Sequence, residues 1–101
     1  MDPEFERIDR LLHHGDPEEA WVEVARYIER NAFDHGRWAE VSTLTEDLVF
    51  IHGDLYIDRI EATAEGSKAF QRAIGMAYIG GIAGPSVERF LALQERYGIG
   101  W

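Results

Sequence analysis

Three of the four histidines stand directly before a glycine, in His14-Gly15-Asp16, His35-Gly36-Arg37 and His52-Gly53-Asp54, with His13 beside the first. Imidazole and carboxylate together make a donor set for a divalent metal that activates water. His14, His35 and His52 with Asp16, Asp54 or Asp58 therefore form a candidate metal-dependent hydrolase site. The spacings of 21 and 17 residues match no metal-site signature. A structural reading covers the same residues: histidine in a last helical turn complements the carbonyl end of the dipole, glycine supplies a left-handed cap, and aspartate caps the next helix. On that reading no metal or other cofactor is expected.

A second constellation is purely acidic. Asp54, Asp58, Glu61 and Glu65 recur at i, i+4, i+7 and i+11, which sets four carboxylates along one side of one helix. Like charges at i, i+4 repel by a few tenths of a kcal/mol, roughly, and Arg59 lies off the row. The row reads either as a solvated face, as a surface for a basic partner, or as paired-carboxylate chemistry. Carboxylates about one turn, ~5.4 Å, apart can also imitate a nucleic-acid backbone.

Other chemistries lack their residues. There is no cysteine, and Ser42, Ser67 and Ser86 sit at helix starts or breaks, none in a Gly-x-Ser-x-Gly elbow. The glycine-rich run from Gly80 to Gly84 is followed by Pro85 and has no lysine beside it, so it is not a phosphate loop. Trp21, Trp38, Phe70, Tyr78 and Phe90 fall on apolar stripes and read as core, whereas Trp101, after Gly98 and Gly100, is left to fold back or to meet a partner.

The elements that must carry these residues all read as helices. Ile8, Leu11 and Leu12 have helical spacing and stop at Gly15; Asp16-Pro17-Glu18-Glu19 is a cap, a first-turn proline and a capping-box acid. The helix it opens carries Trp21, Val24, Ala25, Ile28 and Ala32 and ends near His35-Gly36. From Arg37 to about His52 a stripe of Trp38, Val41, Leu44 or Thr45, Leu48 and Ile51 is interrupted at residues 42 to 46, where Thr43 and Glu46 have capping-box spacing, so a short helix, a kink and a second helix are expected. Thr43 to Ile51 is also the one stretch with strand-like content. Gly53 closes that helix, Asp54 starts another with Tyr56 or Ile57, Ile60 and Ala64 inward, and Gly66-Ser67 is again a stop and a cap. A helix from Lys68 to about Ile82 and a last one through Val87, Phe90, Leu91, Gln94 and Tyr97 complete the chain. Short connections imply an all-α fold, a compact bundle or short stack of helical hairpins with five to seven helices. Ala73, Ala77, Gly80 and Gly81 offer a close-packing side, for the fold itself or for a homo-oligomer.

Residues 1 to 5, Met-Asp-Pro-Glu-Phe, are what DNA carrying the cloning sites GGATCC and GAATTC encodes and read as vector-derived; residues 6 to 101 form one helical domain. The formal net charge is −9, or −7 without Asp2 and Glu4. Such acidity argues against nucleic acid or anionic membrane as a direct partner and favours a basic protein. The charge is concentrated: residues 34 to 65 net −6 and residues 66 to 101 net +2. The longest apolar run, residues 73 to 83, is far short of the ~20 needed to span a bilayer, and the absence of cysteine fits a cytoplasmic protein.

Glu46-Asp47-Leu48, His52-Gly53, residues 57 to 62 (Ile-Asp-Arg-Ile-Glu-Ala) and residues 70 to 74 together resemble a family of short bacterial proteins of unknown function. In that family an acidic Glu-Asp-Leu-Leu helix, a His-Gly turn and an Ile-Asp-Arg-Ile-Glu-Ala helix follow one another. The likeness covers residues 38 to 75; Leu44-Thr45 stands where the family has Gly-Pro. It implies a small bacterial helical protein and transfers no activity. The sequence thus favours a non-enzymatic binding module, of immunity or antitoxin type, holding a basic partner through Glu46, Asp47, Asp54, Asp58, Arg59, Glu61 and Glu65. The metal-dependent hydrolase, the structural homo-oligomer and the nucleic-acid mimic stand as alternatives.

Overall fold

Side chains that begin helices do so here largely as their types dictate. In the computed structural model, which describes residues 2–79, 81 and 83–98, Asp2 accepts from the Glu4 N–H and opens α1 (Pro3–His14). Asp16 accepts from the Glu19 N–H and opens α2 (Pro17–Asn31). A single 3-10 turn (His35–Arg37), capped by Asp34, leads into α3 (Trp38–Glu65). Ser67 caps α4 (Lys68–Met76) through the Phe70 N–H, and α5 (Pro85–Tyr97) follows Gly84, whose φ of 141° only glycine adopts readily. The fold is all-α with five α-helices, and no strand occurs among the described residues. None of these helices is long and apolar enough to cross a membrane.

The 28-residue α3 is the hub: it packs against each of the other four helices. Its interior positions include Val41, Leu44, Leu48, Tyr56, Ile57 and Ile60, all within one core shared with Phe5, Ile8, Val24, Ile28, Phe70, Ile74, Phe90 and Leu93. Residues 2 to 5, set apart above by their coding, are built into this fold: Phe5 is buried, and Asp2 pairs with Arg37 at 2.6 Å.

Two sequence expectations change at α3. The break at residues 42 to 46 is absent, because the polar side chains there are satisfied without ending the helix. The Thr45 hydroxyl donates to the Val41 carbonyl at 2.8 Å, and the Ser42 hydroxyl reaches Glu46 at 2.8 Å and the Met76 carbonyl at 3.1 Å. The junction expected at Gly53 is present in altered form: two helical arms meet one residue earlier, across a kink within one continuous element. The chain bends at His52 (φ −136°, ψ 40°) and continues, giving a proximal arm before the bend and a distal arm after it. The glycines at helix ends are also not uniformly left-handed: Gly15 and Gly66 have φ of −99° and −112°. Gly53 is there for space. A Cβ on it would lie 2.5 Å from Ser86 Oγ and 3.1 Å from Ser86 Cβ, so the start of α5 rests directly on the bend.

The expected fourth helix is shorter than the pattern to residue 82 suggested. Ala77 is extended (φ −72°, ψ 141°), and the carbonyls of Ile74 and Ala77 are taken by the buried Gln94 amide of α5 at 2.9 and 2.7 Å. Ala73 and Ala77 are buried within this core, which accounts for their small size; Gly81 is exposed with φ 85°, and Gly80 and Trp101 lie outside the described residues.

The bend makes a cycle of substitutions informative. Gly53→Ala should cost about 1 kcal/mol, overpacking being partly offset by better helix propensity. In a Ser86→Gly background the same change should be neutral or stabilising, as urea denaturation of the four proteins will read.

Candidate functional site

The bend in α3 distributes the seven candidate residues into separate environments. On the proximal arm the Glu46 carboxylate accepts from the Ser42 hydroxyl and, at 2.9 Å, from the Tyr78 N–H, so it pins the segment that follows α4. Asp47 turns instead toward α1. On the distal arm Asp54, Asp58 and Glu65 are exposed and Glu61 is half-buried. Arg59 leaves this row and grips the Glu18 carboxylate of α2 with both terminal nitrogens, one at 2.9 Å, which holds the Glu18 carboxyl below its ordinary range.

The distal row is less repulsive than its sequence implies, because α5 supplies a cation. Arg89 reaches Asp58 at 2.6 Å and Glu61 at 3.0 Å. Both carboxylates stay wet, Asp58 with 78% of its side chain exposed, so the contact relieves repulsion without neutralising the face. Asp54 and Glu65 have no ion pair among the described residues. Apolar surface adjoins the row: Phe50 and Leu55 are 43% and 46% exposed, and with Asp54, Ala83 and Ser86 they line a depression of about 400 Å³ beside the bend.

A second cluster forms where α1 meets the proximal arm. Asp9 and His13, one turn apart on α1, face Asp47 of α3, and one ligating atom from each lies within 4.8 Å of the others. His13 Nδ1 donates to the Asp9 carbonyl at 2.8 Å and sits 3.6 Å from Asp9 Oδ1. That backbone bond, with the charges of Asp9 and Asp47 and against a smaller desolvation effect, raises the His13 pKa. Burial first, then a hydrogen bond with Asp9 and its charge, push the Asp47 carboxyl up to about 6, with His13 opposing. Asp9 Oδ1 is closed off from solvent and has no hydrogen-bond partner.

The His-Gly motifs themselves do not converge. Among the described residues the one group able to hold a metal is Asp9, His13 and Asp47, and it includes none of His14, His35, His52, Asp16, Asp54 or Asp58. His52 packs edge-on against Tyr56, ring centroids 5.6 Å apart, as part of the bend. The i, i+4 spacing of Asp9 and His13 is visible in the sequence, whereas Asp47 across from them is not readable without the fold. Compared with known proteins, the chain matches no family model, no curated protein and no solved structure.

The cluster has a definite pH signature. Asp47 ionises near 6 in the folded chain but near 4 when unfolded, so stability falls as pH rises from about 4 through 6 and stays lowered above. His13, its pKa raised, adds stability that is lost as pH rises through its folded value, in the same direction. Chelator-treated protein should therefore be more stable to urea at pH 5 than at pH 8. Asp47→Asn should flatten that slope and raise stability at pH 8.

Proposed function

We propose that this chain is a non-enzymatic protein-binding module whose distal arm of α3 presents carboxylates to a basic partner. The observation that carries the reading is the mixed character of that arm's outer side: Asp54, Asp58 and Glu65 exposed, Arg89 reaching Asp58 but neither of the other two, and Leu55 exposed among them. Interfaces combine apolar anchors, which supply affinity, with a charged surround that sets encounter rate and excludes wrong partners. Leu55 and Phe50 beside the bend suit the first role, and the carboxylates suit the second. The fitting partner is a lysine- or arginine-rich protein surface that carries an aliphatic or aromatic side chain into the depression at the bend.

The seven residues do not contribute equally to this reading. Glu46 and Arg59 are engaged inside the fold and serve to hold it, while Asp47 belongs to the cluster with α1. Asp54, Asp58, Glu61 and Glu65 form the contact surface. An inhibitor of immunity or antitoxin type, which needs charge and shape but no catalytic group, is the form most consistent with it, in a bacterial cytoplasm.

Asp58 and Glu61 are poor choices for charge reversal because Arg89 depends on them. Asp54→Lys with Glu65→Lys removes no intramolecular ion pair. This double variant should retain the wild-type melting temperature and bind the partner recovered from the native cell roughly ten- to a hundredfold more weakly. Wild-type affinity should fall between 50 and 300 mM salt. Binding that ignores both the reversal and the salt would place the interface elsewhere.

A further inference from the structure

We propose that Asp9, His13 and Asp47 form a binding site for one divalent cation of the zinc class, clamping α1 to the proximal arm of α3. The site goes beyond the partner-binding reading and involves none of the distal-arm carboxylates. Helical spacing puts Asp9 and His13 on the same side of α1, and α3 brings Asp47 across to them, so three donors from two helices converge within 4.8 Å. Zinc holds oxygen and nitrogen at about 2.0–2.2 Å in a tetrahedral shell, which sets its donors about 3.4 Å apart. Rotation of the side chains must therefore draw the outermost donors in by up to about 1.4 Å when the ion binds.

Two independent observations point to a cation. The Asp9 side chain is 35% exposed, yet its Oδ1 is withdrawn from solvent and accepts no hydrogen bond, with His13 Nδ1 at 3.6 Å its charged neighbour, so a metal ion would give that oxygen a close partner. Elsewhere arginine meets several carboxylates, Arg7 and Arg26 on Glu23, Arg30 on Glu4, Arg37 on Asp2, Arg59 on Glu18 and Arg89 on Asp58, while the exposed Asp54 and Glu65 are left without one among the described residues. No arginine reaches Asp9 or Asp47 among the described residues. With both carboxylates ionised, as at pH 7.5, the cluster keeps surplus negative charge in either protonation state of His13.

The donor set selects the ion. One nitrogen and two oxygens suit zinc or a neighbouring transition metal, whereas calcium wants six to eight oxygens. Three protein ligands leave at least one position open, toward a surface depression lined by Glu6, Arg10 and His14, where water completes the shell. His35 and His52 belong to no such donor group among the described residues and provide the control.

Isothermal titration of chelator-stripped, tag-free full-length protein at pH 7.5 with zinc chloride, and separately with calcium chloride, tests the site. One zinc equivalent should bind and raise the melting temperature, with calcium at least about tenfold weaker. Asp47→Asn and His13→Gln should each weaken zinc by about tenfold or more, whereas His35→Gln should not. The melting temperature of each variant without metal, measured alongside, separates loss of the site from loss of the fold. Absence of zinc binding, equal binding by the His13 and Asp47 variants, or a preference for calcium would each overturn the proposal.

Discussion

The contact on which the rest of this molecule depends is the seating of Ser86 against the bare backbone of Gly53. A 28-residue helix running straight through a domain of this size would present its four neighbours with one axis to pack on. Bending at His52 gives α3 two axes. Its proximal arm can then receive α1, while α5 meets the bend itself through Ser86 and the distal arm through Arg89. The space for that approach exists because residue 53 has no side chain. Shape at one position thereby sets the direction of every carboxylate after it.

Charge is arranged around the same hub. Arginines are spent on joining helices: Arg37 to the cap of α1, Arg59 to the first turn of α2, Arg89 back onto α3. Each such pair is exposed and contributes little stability by itself. Their combined effect is to decide where negative charge is left over, and it is left on the distal arm and in the small cluster between α1 and α3. An acidic chain with ten basic residues has little freedom beyond that choice.

Much of the local structure was legible because it is written locally. Asp16-Pro17, Ser67 and Pro85 begin helices where their side chains or missing N–H demand it, and the apolar spacing around Val24 and Ile28 reports a buried face. What was not legible required knowing who lies opposite. Ser42 and Thr45 look like helix breakers until Glu46, Met76 and the Val41 carbonyl are seen to occupy them. The acidic row looks unrelieved until α5 delivers Arg89 from 28 residues away. Asp9 and His13 look like an ordinary exposed pair until Asp47 closes on them, and the three His-Gly motifs, conspicuous in one dimension, are scattered in three.

The buried amide of Gln94 carries a further implication. Helix α4 does not terminate on its own residues alone: beyond the Ala77 N–H on Ile74, the carbonyls of Ile74 and Ala77 are completed by a side chain from the last part of α5. The last two helices are therefore a single heritable unit. The linker between them can drift in sequence so long as it delivers residue 94 to the same spot, but neither helix can be exchanged with a relative's copy, or trimmed away, without stranding polar groups of the other in the core.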